Sequence, residues 1–155
     1  MSEQKIKSII CAVYGKPSSR TTISRAIDLA LEYNAKLTFV HAINAEFLKS
    51  STPAMMPLKT VYKQLHDMGN FAMMMLMDRA ERRGVSQTDY RVREGNVREQ
   101  LLLAVQELRP DILVIGKPTS LLGESVFKEQ PLKEFIDQIQ LDMGIQIEIV
   151  EPETA

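Results

Sequence analysis

Two short stretches carry the residues best suited to hold a small anion, and they are nearly the same stretch. Gly15-Lys16-Pro17-Ser18-Ser19 and Gly116-Lys117-Pro118-Thr119-Ser120 agree in four of five positions. Each offers a glycine that lets the backbone turn, a lysine ammonium, and hydroxyls beside backbone donors. That set suits phosphate, sulfate or a carboxylate. Turn chemistry alone also makes Gly, Pro and Ser recur in loops, so the repeat gains meaning only from where the fold places it.

Other chemistries lack their residues. Val13-Tyr14-Gly15 has no paired carboxylates, so the phospho-acceptor of a response regulator is missing. No G-x-G-x-x-G opens a helix, and there is no G-x-x-x-x-G-K-[ST] or G-x-S-x-G, which removes the dinucleotide fingerprint, the P-loop and the nucleophile elbow. Cys11 sits inside a strand pattern and reads as a small core side chain. With His41 and His66 the only histidines, no metal site is expected. No nucleophile stands with a base, so no catalytic residue is assigned and the chain is not expected to be an enzyme.

The elements that must position the two loops follow from periodicity. Ile112, Leu113, Val114 and Ile115 form an uninterrupted apolar run between turn residues, the pattern of a strand buried on both faces of a parallel sheet, and it reads as the central strand. The run from Ile6 to Val13 is a first strand and Lys36 to Ala42 a second. Thr88 to Arg93 and Ile145 to Val150 complete a set of five. Between the first two, Ile23, Ala26, Ile27, Ala30 and Leu31 make a helical stripe that Asn34 ends. Residues 44–57 have no period and form a long loop.

From Leu58 a helical pattern runs through Val61, Tyr62, Leu65, Met68, Ala72, Leu76 and Ala80, and Gly84 stops it. It carries Met73, Met74, Met75 and Met77, which must point to several faces, so at least one is exposed or meets a partner. Asn96 with Glu99 three residues on caps a helix striped by Val97, Leu101, Ala104, Val105 and Leu108. Pro131 opens a last helix with Leu132, Phe135, Ile136, Ile139 and Met143 on one face. A helix in every crossover implies an α/β fold, an open five-stranded parallel sheet with helices on both faces.

Composition agrees. The 155 residues, 45% hydrophobic and 25% charged with net charge −1, fit one domain spanning 1–155. No basic cluster suggests nucleic acid, and no apolar run reaches the roughly 18 residues of a membrane span. The first residues lack the apolar core of a signal peptide, and a single cysteine excludes an intrachain disulfide, so the expected compartment is cytoplasmic.

The first strand running into Ser18-Ser19, the Glu94-Gly95-Asn96 turn into Leu101-Leu102-Leu103-Ala104, and Pro110-Asp111-Ile112-Leu113-Val114-Ile115-Gly116 resemble the universal stress protein family in order and spacing. The resemblance covers nearly the whole chain. It implies a Rossmann-like sheet of order 3-2-1-4-5, a homodimer, and a role in stress resistance rather than catalysis. Nucleotide-binding members carry G-x2-G-x9-G-[ST] after the fourth strand. Anchored on Gly116, the later positions here are Thr119, Glu129 and Gln130, and the family's nucleotide-facing Asp is Tyr14. Glu129 would set a carboxylate where phosphate sits, and two unit charges about 4 Å apart repel by roughly 4 kcal/mol at an effective dielectric near 20.

The expected function is therefore a non-enzymatic regulatory or protective protein without ordinary ATP binding and with no cofactor. The alternative is an ATP-binding member with an altered phosphate loop. In the implied strand order the twin loops face each other across strands one and four. The candidate anion or nucleotide crevice comprises Val13, Tyr14, Lys16, Ala42, Gly116, Lys117, Thr119 and Ser120, with Ser18 and Ser19 beside them. The expected partners are a second copy, paired through the strand from Ile145 to Val150, and a protein partner of unknown identity.

Overall fold

The computed structural model describes residues 5–13, 19–43, 58–116 and 129–150. The loop expected at 44–57 lies outside them. The elements are β1 (Ser8–Val13), α1 (Ser19–Tyr33), β2 (Lys36–Ile43), α2 (Leu58–Arg82), β3 (Thr88–Glu94), α3 (Val97–Leu108), β4 (Ile112–Gly116), α4 (Glu129–Met143) and β5 (Gln146–Val150). All four strand pairings are parallel and the order is β3-β2-β1-β4-β5, as expected. The central position belongs to β1 rather than β4, because β2 and β3 extend the sheet one way from β1 while β4 and β5 extend it the other. β4 is still interior, and Ile112 to Ile115 are each 0% exposed.

Alternation along β1 divides the core. Ile9, Cys11 and Val13 face α1 and α2, whereas Ile10 and Ala12 face α3 and α4. β1 has no polar side because neither of its faces meets water. The edge strands differ: nearly every residue of β3 and β5 is half-buried or exposed. Ile149, which by alternation shares a face with Ile145 and Ile147, is 43% exposed. It lies near the end of a short edge strand that has a neighbour on one side only.

Helix ends follow the residues that tolerate left-handed backbone. Asn34 (φ 50°), Gly84 (φ 109°), Arg109 (φ 45°) and Gly144 (φ 63°) each follow a helix. Asn96 Oδ1 accepts the Glu99 N–H at 3.1 Å, the expected cap of α3.

Two stripes differ from their sequence pattern. In α1, Leu29 is buried and Leu31 is 37% exposed, because a helix lying over the middle of a sheet buries a wide arc and Leu31 falls at its margin. In α2, Met68 is 68% exposed and Ala72 also faces solvent, while Gly69, Met73 and Ala80 are buried, with Leu76 and Met77 packed beside them. Gly69 is the cause. A Cβ there would lie 3.3 Å from His41 Cδ2 and 3.3 Å from Val92 Cγ1, so the missing side chain lets the helix press onto β2 and β3 and turns this line inward. The expected spread of methionines holds: Met73 is 2% exposed, Met74 56% and Met75 58%.

The edge of the sheet opposite the loops is tied by one carboxylate. Asp111 Oδ2 accepts the N–H groups of Lys7 at 2.8 Å and Ser8 at 3.0 Å. Its own N–H donates to Ser8 O at 2.7 Å, and its carbonyl accepts from Gln146 at 3.2 Å. Asp111 thus sets the entry of β1, β4 and β5 together. Asp111→Ala leaves the N–H groups of Lys7 and Ser8, at the start of β1, without their charged acceptor and should cost about 2–3 kcal/mol, read as a lowered urea midpoint at unchanged slope.

Candidate functional site

The chain reverses its direction of travel across the sheet between β1 and β4, and the crevice at the C-terminal ends of these strands is where open α/β sheets bind ligands. Val13 ends β1 and is 7% exposed, and its carbonyl accepts the Nδ1–H of His41 at 2.9 Å. A carbonyl can only accept, so this bond fixes the proton on Nδ1 of the imidazole. Ala42 follows on β2, packed toward α3 and α4. The ladder between β1 and β4 runs as far as Cys11 and Val114, and Val13 and Gly116 each lie two residues beyond that pair at the same end of the sheet. The structure therefore gathers Val13, Ala42 and Gly116, from three neighbouring strands, at one edge. Tyr14, Lys16, Lys117, Thr119 and Ser120, with Ser18, lie outside the described residues. Glu129 and Gln130 are the first two residues of α4.

Helix α1 begins at this same edge, with Ser19 as its first residue. Thr22, 2% exposed, packs so tightly on the end of β4 that a Cβ on Gly116 would meet its Oγ1 at 2.6 Å. Gly116 is thus needed first for close packing of β4 against α1. Thr21 Oγ1 is buried and has no hydrogen-bond partner among the described residues. The N-terminal end of α1, where helix N–H groups lack intrahelical partners, gives this edge a weakly positive side.

Thr22, His41 and Gly69 were not singled out as parts of this architecture from sequence. For Thr22 a signal existed: it stands four residues before Ala26, on the buried side of the α1 stripe, where a polar residue is out of place.

Titration narrows the chemistry further. Burial pushes the Cys11 thiol up to about 12, so it is a closed core side chain and not a nucleophile. On β3, partial burial pushes the Asp89 carboxyl up, but the Tyr90 N–H it accepts, the Arg91 guanidinium and the Lys36 ammonium outweigh that effect, and the net direction is down. His66 Nε2 lies 3.2 Å from Glu94 Oε2, near the end of β3. Among the described residues no three His, Cys, Asp or Glu side chains are grouped to hold a metal.

Comparison with known proteins decides the family. The sequence profile described as the universal stress protein family matches residues 5–127. The chain belongs to the universal stress protein family. A family protein from Burkholderia pseudomallei superposes with a TM-score of 0.72 at 15% identity, covering 98% of this chain and 100% of that one. A universal stress protein solved in complex with cAMP gives 0.59 at 20% identity, covering 97% and 100%. One from Arabidopsis thaliana, solved with AMP bound, gives 0.54 at 15% identity, covering 96% and 93%. A search of curated proteins gave no match. At these identities the solved structures establish the fold, and the five-stranded order expected from the resemblance is the one observed.

The Gly116 contact yields a direct test. Gly116→Ala should destabilise the protein by about 1–3 kcal/mol, the usual cost of forcing a methyl group into a packed site. Adding Thr22→Ala removes the atom it strikes. A double-mutant cycle followed by thermal melting should then show coupling that recovers about 1 kcal/mol or more, and strict additivity would mean that the contact is not what requires glycine.

Proposed function

We propose that this universal stress protein is a non-enzymatic regulatory or protective protein whose crevice between β1 and β4 does not bind ATP in the ordinary way. The supporting observation is the combination of a retained scaffold with altered phosphate positions. Gly116 survives and packs on Thr22, yet the later loop positions are Thr119, Glu129 and Gln130, and the two last open α4. A loop lacking those glycines would approach a triphosphate less closely, and a carboxylate at the Glu129 position would repel one. Cys11 is shut in the core, which leaves chemistry by that thiol unsupported.

A second reading is favoured by relatives solved with cAMP and AMP. A monophosphate makes less demand on the phosphate loop than a triphosphate, and the crevice edge at Val13, Ala42 and Gly116 remains. Calorimetry separates the readings. MgATP should bind no more tightly than about 10 µM, whereas AMP or cAMP binding below that value, lost in Lys16→Ala plus Lys117→Ala, would establish a nucleotide-binding member.

The two sheet edges differ in a way that supports dimerisation through β5. β3 carries Asp89, Arg91, Arg93 and Glu94, with Asp89 bonded to Arg91 at 2.8 Å, a charged edge of the kind that discourages strand addition. β5 carries one acid, Glu148, and Arg25 on α1 engages it at 2.9 Å. Ile149 at 43% exposure, with Leu141 on α4 at 85%, leaves apolar surface at this side of the molecule. An antiparallel pair of β5 strands about a two-fold axis at Ile147 sets Gln146 opposite Glu148 of the other copy, whereas an axis at Glu148 opposes like charges. Ile147→Pro removes a central ladder donor and should give monomer by light scattering. A folded variant that stays dimeric would place the interface elsewhere.

A further inference from the structure

A groove of about 660 Å³ runs between α1 and α2 on the Val13 face of the sheet, a volume suited to a small organic ligand. Ile23 and Met73 close its base, and Ala72, Met75 and Leu76 form its apolar wall. From Ala72 to Arg83 the helix rises about 16 Å, so the groove is long rather than round. Its two ends are unlike. One holds Val13 and the tethered imidazole of His41, and the other is rimmed by Arg79, Arg82 and Arg83 with the one carboxylate of Asp78.

The charges at that rim do not balance. Arg82 pairs with Asp78 at 2.9 Å, and Arg83 with Asp28 at 2.7 Å across to α1. Arg79 has no carboxylate partner among the described residues and stands one turn before Arg83, a like-charge spacing that an anion would relieve. An apolar channel ending in one unmatched guanidinium has the form of a site for an aliphatic tail with a single anionic head. The geometry points to a medium-chain amphiphilic anion as the occupant, its tail on Met73, Met75 and Leu76 and its head on Arg79. This site is separate from the β1–β4 crevice and does not depend on whether a nucleotide binds there.

The test uses the full chain labelled at its methionine methyl carbons, titrated below micelle formation with decanoate, decyl phosphate and decyltrimethylammonium. Decanoate or decyl phosphate should shift the Met73 and Met75 methyl signals, and the tighter of the two identifies the head group as carboxylate or phosphate. Arg79→Ala should weaken that binding about fivefold, the range of an exposed ion pair, and Ala72→Trp, a change at an exposed position, should abolish it by filling the groove. Equal affinity for decyltrimethylammonium, unchanged affinity in Arg79→Ala, or shifts confined to Met74, which lies off the groove stripe of α2, would overturn the assignment.

Discussion

Everything in this fold hangs on a strand that must be dry on both sides. β1 is paired along both edges and covered on both faces, so none of its core residues can be polar, and Ile9 to Val13 satisfy that with exposures of 0 to 7%. Close packing on both sides leaves little freedom to change volume in either core. The two helical layers are therefore fixed relative to each other through a sheet one strand thick. The ends of β1 become the fixed points of the molecule: Asp111 holds one, and the crevice opens at the other.

That arrangement separates the constraints on stability from those on function. At the entry edge, a single carboxylate takes two N–H groups of β1 and its backbone joins β4 to β1 and β5. At the exit edge, the bonds are of a different kind, an imidazole donating to the last carbonyl of β1 and a glycine giving way to a threonine. These contacts position the strand ends from within the described residues. A scaffold held in this way can be shared by proteins with different ligands, so family membership and ligand choice are separate questions.

Much of this was legible in the sequence because the physics that sets it is local and periodic. The apolar run Ile112 to Ile115, the Asn96 cap and the stripe Val97, Leu101, Ala104 and Val105 are each specified by residues a few positions apart. The misplaced elements were those decided by a neighbour distant in sequence. Met68 and Ala72 fit a helical period, yet Gly69 and Met73 point inward, because His41 and Val92 lie so close that even a Cβ at Gly69 would meet each of them at 3.3 Å. Ile149 continued the alternation of its strand, but an edge position left it exposed. Periodicity records which residues are apolar; it does not record how near the next element stands.

The same limit applies to the candidate site, and it acts in both directions. Val13, Ala42 and Gly116 could be placed because strand register is a long-range consequence of local pattern once the order of strands is known. Thr22 could not be read as the partner of Gly116, since the reason for that glycine is an oxygen on a helix more than ninety residues away in the chain. From sequence, the glycine at the end of β4 reads as a turn residue of a candidate anion loop. In the structure it already lets β4 approach α1, so its presence alone is no argument for a bound phosphate. The identity of a ligand has to be argued from groups that packing does not already explain, and among the described residues these include the hydroxyl of Thr21 and the guanidinium of Arg79.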